Sequence, residues 1–176
     1  MPTAPTTADE RLVAFLACGA DAGGDPLRDP HLARAWCAEQ GLEAGRRPFT
    51  APDLARLRAL RAGLRGGIDA PSGAAARRVA GLARDARLGV EVGVDGVRMV
   101  VGASGVDAVV GRLLLDAVDA TGRGTWSRIR VCADPVCARV FLDTTKGRNR
   151  SWCDMATCGN RAKVRAHRAR ARETGA

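Results

Sequence analysis

Four cysteines constrain this chain more than any other feature. Cys132 and Cys137 enclose four residues, Cys153 and Cys158 enclose four more, and fifteen residues separate the pairs. Close pairs on two sharply turned segments supply two thiolates each, and the spacer lets the second pair fold back on the first. Pro135 and Gly159 suit the turns around the sulfurs. Four thiolates close the coordination sphere of one structural Zn²⁺, whereas a catalytic zinc keeps an open position. Four ordinary buried cysteines or two disulfides are the plainer alternatives, and neither accounts for the paired order. The nearest histidine, His167, lies about two and a half helical turns past Cys158 and reads as a solvated helix residue.

Charge is divided as sharply as the cysteines. Residues 1–120 carry 15 Lys+Arg and 15 Asp+Glu, while residues 121–176 carry 13 and 4, which is the whole formal excess of +9. Four thiolates and one Zn²⁺ would leave about +7 there. A local excess of that size calls for a polyanionic partner. From about Asp154 the chain can be helical, and Arg161, Arg165, Arg168 and Arg172 then form one stripe flanked by Lys163 and Arg170. The rest of that helix is alanine and Val164, too little to bury. Lys146, Arg148 and Arg150 add a basic loop before the second cysteine pair. Arginine can take phosphate or a guanine edge through paired hydrogen bonds.

The run Phe141-Leu142-Asp143, then Lys146 to Arg150, Trp152-Cys153 and Cys158-Gly159-Asn160-Arg161-Ala162-Lys163 resembles the CGNR zinc finger family. The tetrapeptide Cys158 to Arg161 is the one that names it. The resemblance covers about the last 50 residues. It implies a four-cysteine finger at the C-terminus of a bacterial transcriptional regulator, preceded by a helical ABATE domain. Upstream the likeness rests on element order rather than motifs. Asn160 and Arg161, beside the last ligand, can cap the helix and hydrogen-bond the thiolates as well as touch nucleic acid.

Read in order, the chain gives an α+β fold that is mostly helical. A helical N-terminal domain with a β-hairpin, residues 8–124, precedes a small four-cysteine module with a short hairpin and a basic C-terminal helix, residues 125–176. Residues 1–8 are rich in Pro, Thr and Ala and read as disordered. A helix over Ala8 to Cys18 turns Leu12, Phe15 and Leu16 inward, and Gly19 to Asp29 reads as a loop. Asp29-Pro30 starts a helix that carries Leu32, Trp36 and Cys37 inward and stops at Gly41. Cys18 and Cys37 read as small core side chains. Thr50 with Asp53 resembles a capping box, Leu54, Leu57, Leu60 and Leu64 give helical spacing, and Gly66-Gly67 is expected to end that helix. Another helix follows Ser72 with Val79, Leu82 and Ala86 inside. The arginines of these two helices, Arg56, Arg58, Arg61 and Arg65 among them, read as solvated surface.

Val90 to Val101 is expected to form a hairpin turning at Asp95-Gly96, its valine face covering the helices. Ser104 with Asp107 resembles a second capping box before the most hydrophobic helix, with Val106, Val109, Val110, Leu113, Leu114, Ala117 and Val118 inward. Trp126 to Val131 alternates as a half-buried strand should, and Val140-Phe141-Leu142 reads as its partner. Trp152 reads as core of the small module. So small a module depends on zinc for folding energy, so chelation is expected to unfold residues 125–176 and leave 8–120 helical.

No basic start or long apolar run marks a leader or a membrane span, and a reducing bacterial cytoplasm suits four metal-bound thiols. No paired carboxylates, nucleophile–base set or phosphate-binding glycine loop points to an enzyme. The leading expectation is a zinc-finger DNA-binding transcriptional regulator whose N-terminal domain senses a signal, forms a homodimer or recruits a protein. An RNA- or ribosome-binding protein and a zinc-stabilised protein-interaction module stay open.

Overall fold

The computed structural model describes residues 7–19, 24–69 and 72–174, the side chains of Asp69 and of residues 171–174 excepted. Most of the proposed N-terminal tail, part of the loop after Gly19 and the Arg172 side chain lie outside that description. The fold is α+β, with six α-helices and two separate antiparallel hairpins among the described residues. No helix among the described residues is long and apolar enough to cross a membrane.

The first helix, α1 (Ala8–Ala17), opens with a capping box in which Thr7 and Glu10 satisfy each other's backbone N–H groups. It buries Leu12, Phe15 and Leu16 completely. The following loop contains a short 3₁₀ turn, Pro26–Arg28, which seats Leu27 in the core. Helix α2 (Pro30–Glu39) is capped by Asp29, as expected, whose carboxylate accepts from the N–H groups of His31 and Leu32. Its inner face is Ala33 and Cys37; Leu32 points outward, and Trp36 is half-buried against Phe15.

Helix α3 (Ala51–Asp69) begins at the Thr50–Asp53 box and buries Leu54, Leu57, Leu60 and Leu64. It runs through Gly66-Gly67 instead of ending there. The glycines of this helix serve packing. A Cβ on Gly63 would stand 2.6 Å from Val79 of α4 (Gly73–Asp85), and one on Gly66 would touch Ala75. Helix α4 is capped by Ser72 and turns Leu82 inward, with Val79 half-buried and Ala86 buried just past its end.

Strands β1 (Leu88–Gly93) and β2 (Gly96–Val101) pair in the register Gly93↔Gly96, so the turn is Val94-Asp95, one residue earlier than expected. The valines of this hairpin do not cover the helices. Only its root, at Leu88 and Val101, is partly buried. The central helix, α5 (Val106–Gly122), is N-capped by Gly105 at φ +62°, with no side-chain cap from Ser104. Asp107 instead pairs with Arg56. Val106, Val109, Val110, Leu113, Leu114 and Ala117 are buried as expected, whereas Val118 is exposed and Asp116 is fully buried.

A 3₁₀ turn, Trp126–Arg128, precedes β3 (Ile129–Val131), so the anticipated strand is half its expected length. Its partner β4 (Val140–Leu142) aligns Arg130 with Phe141. Ile129 and Val140 are buried in the same core as α1, α3 and α5. The chain closes with a π-helical turn, Met155–Gly159, leading directly into α6 (Asn160–Thr174).

Candidate metal centre

The β3–β4 ladder brings the first cysteine pair to one end of a short hairpin. The Cys132 N–H donates to the Arg139 carbonyl at 2.8 Å, and between them Asp134 accepts from the backbone of Cys137 and Ala138. Ala138 takes φ +48° to turn the chain back. The second pair is set by Asp154, which caps the π-helical turn by accepting from Thr157 and places Cys158 at the mouth of α6. The Met155 sulfur lies against Gly159, 2.5 Å from where a Cβ would stand, so the methionine side chain folds over the turn at this glycine. The segments are joined where the Ala133 N–H meets the Ser151 carbonyl at 2.8 Å.

All four cysteine sulfurs lie within 4.8 Å of one another, with Cys137–Cys153 at 3.6 Å and Cys153–Cys158 at 3.7 Å. Ligands about 2.3 Å from a tetrahedral Zn²⁺ stand about 3.8 Å apart, so the spacing fits that ion. The separations are far too long for disulfides. Burial pushes the Cys153 and Cys137 thiols up, and a dication among them is what makes four thiolates tolerable. Cys158 is drawn down to about 7 by the guanidinium of Arg161, 3.2 Å from its sulfur. Phe141 and Trp152 pack in one small cluster with the four cysteines.

The anticipated nucleic-acid residues divide into two groups. Arg161 and Arg165 turn toward the metal centre. Their guanidiniums stand 3.1 Å from the two carboxylate oxygens of Asp134, which is fully buried between Cys132 and Cys137. The first helical turns of α6 are thereby fastened to the first knuckle by charge as well as by the ion. Arg150 also faces inward: it donates to the Trp152 and Cys153 carbonyls and lies over the Phe141 ring at 5.2 Å. Lys146, Arg148, Lys163, Arg168 and Arg170 are exposed on the loop and on α6. Of the pair beside the last cysteine, Arg161 reaches a sulfur; Asn160 is exposed and contributes its backbone N–H to the helical turn. His167 is exposed.

Asp134 and Asp143 went unrecognised as organising residues. Asp143 is buried and accepts from the Thr145 N–H and hydroxyl and from the Arg150 N–H, so it shapes the basic loop. An aspartate two residues after a ligand, followed by proline, was the available signal. Arg65, expected on the solvated surface, is half-buried. From α3 it donates to the carbonyls of Leu16 on α1 and Ala138 in the first knuckle, tying the metal centre to the helical core.

Two family models match the chain in succession. Residues 9–124 match ABATE, described as "Putative stress-induced transcription regulator", and residues 128–171 match the CGNR zinc finger. A search of curated proteins returns no match.

Proposed function

The chain belongs to the ABATE family of regulators, with a CGNR zinc finger following that region, and from that premise we propose that it is a DNA-binding transcription regulator of a bacterial cytoplasm. The observation that carries the reading is the placement of charge. The whole excess of +9 falls in residues 121–176, and Lys146, Arg148, Lys163, Arg168 and Arg170 are exposed around a metal-anchored helix. In this reading residues 125–176 hold nucleic acid through those five groups, joined by Arg172. Arg150, Arg161 and Arg165 chiefly hold the loop and the helix in place, and Asn160 starts that helix. Cys132, Cys137, Cys153 and Cys158 ligate one structural Zn²⁺. Residues 8–124 supply the response to a signal or a protein contact, a second copy of the chain included. Duplex DNA is preferred to RNA because an exposed basic helix of this diameter fits a major groove, whereas the deep, narrow groove of duplex RNA excludes it.

The test is affinity of the zinc-loaded protein for duplex DNA and for duplex RNA across a salt series. About four to six phosphates neutralised at once predict a slope of log affinity against log salt of about −4 to −5 on DNA. A slope near zero, or tighter binding to RNA at every salt concentration, defeats the proposal.

A further inference from the structure

Among the described residues, the β1–β2 hairpin leaves an apolar face uncovered. In an antiparallel ladder directly opposed residues share a face, so Val90 with Met99 and Val92 with Val97 stand on the same side. Val90 is 62% exposed, Val92 81%, Val94 103%, Val97 71% and Met99 44%. The opposite face carries the Glu91–Arg98 ion pair, closed across the strands at 2.6 Å. Beyond the root, one side of the hairpin is therefore polar and internally neutralised, and the other is bare hydrocarbon. The bare side amounts to on the order of 500 Å², near the upper end of what monomers leave contiguous. A two-stranded ribbon is marginal in water unless its apolar face is covered, and an uncovered one invites association. Here only the root is held, where Val101 meets the bare backbone of Gly111 on α5.

We infer that this face is the contact between two copies of the chain, packed hairpin to hairpin about a twofold axis. Three observations favour a second copy over another partner. The strip bears no charge, so its own likeness can face it without an unpaired ion. Residues 1–120 carry equal numbers of basic and acidic groups, so two copies meet there without net repulsion. Two such faces together remove about 1,000 Å² from water, the lower limit for a specific interface. The predicted dimer is accordingly a dissociable one. The inference develops the protein-contact role proposed for residues 8–124 and does not depend on DNA binding. Self-association is measured without nucleic acid, so either reading can fail alone.

Sedimentation velocity of the full, zinc-loaded chain over a concentration series is the experiment. Wild-type protein is expected to move from the monomer to twice its mass as concentration rises. Val92→Lys and Val97→Lys, each at an exposed position, are expected to remain at the monomer mass over the same range, with unchanged helical circular dichroism and zinc content. A wild-type chain that stays monomeric throughout overturns the inference and points to a different protein on this face. Variants that dimerise like wild type overturn it as well, because the contact would then lie elsewhere.

Discussion

At the residue scale, buried carboxylates organise the arginine-rich chain. Asp116 on α5 is fully buried and meets Arg11 of α1 through two contacts of 2.7 Å, with Arg112 at 3.3 Å. Removing one partner of a buried pair leaves the other charge desolvated without compensation, which costs far more than the pair contributes. Asp116→Ala is therefore expected to destabilise the protein by about 3–5 kcal/mol in urea titrations. A loss below about 1 kcal/mol would mean that Arg11 finds water instead. Asp143 gives a pH signature. Its hydrogen bonds, first those from Thr145, hold its carboxyl down at about 2. A depressed pKa stabilises the fold at pH values above the ordinary carboxylate range. That contribution fades as pH falls from about 4 toward about 2. Asp143→Asn should be less stable than wild type at neutral pH, and the gap between the two should narrow across this window. Asp116 could not be picked out beforehand: nothing in its local sequence separates it from the exposed acids of other helices. The four cysteines could, because ligand spacing is local.

At the element scale, the sequence was legible wherever burial follows a simple period. The leucines of α3 are inward as the spacing required, and so is the hydrophobic face of α5 apart from Val118. The departures share one cause: a local signal does not encode what packs alongside it. Gly66-Gly67 resembles a helix stop, yet a helix persists through glycine when a neighbour needs the space. Ser104 with Asp107 has the spacing of a capping box, but Arg56 takes the aspartate, and Gly105 at positive φ starts the helix. The hairpin valines have the composition of a covering strand and no helix beneath them. The basic stripe on α6 keeps its helical spacing, and two of its arginines, Arg161 and Arg165, also meet Asp134, 27 and 31 residues away in sequence. Gly63 tests the packing explanation. Gly63→Ala should gain about 1 kcal/mol of helix propensity. It should lose about 1–3 kcal/mol by forcing a Cβ against Val79 of α4, for a net destabilisation. The Gly63→Ala/Val79→Ala double variant should recover part of that loss. If Gly63→Ala alone is stabilising in thermal melts, close approach of α3 and α4 is not why glycine stands there.

At the scale of the whole molecule, the metal centre and the helical core share parts. The sequence suggested two units joined at Gly122 and Gly124, the second relying on zinc for its own folding. Ile129 and Val140, however, sit in the large core, and Arg65 spans from α1 to the first knuckle. Structural zinc supplies about 10–16 kcal/mol to isolated finger peptides, so the knuckles and the start of α6 should not survive its removal. The ion pairs of Asp134 with Arg161 and Arg165 are half exposed on the arginine side. They cannot replace the ion, because exposed pairs are screened by solvent. Chelation is therefore expected to abolish protection of the α6 amides in hydrogen exchange. The β3–β4 ladder, held by Ile129 and Val140 against α1 and α3, should keep part of its protection. Far-ultraviolet circular dichroism should fall by no more than the share due to α6, and the melting temperature of the remaining helices should drop because Arg65 loses its carbonyl on Ala138. Arg65→Ala should reproduce that drop with zinc still bound, and chelation of this variant should add little further loss in the helical core. Collapse of all helical signal on chelation would show a single cooperative unit, and an unchanged melting temperature would show that the core does not feel the metal centre.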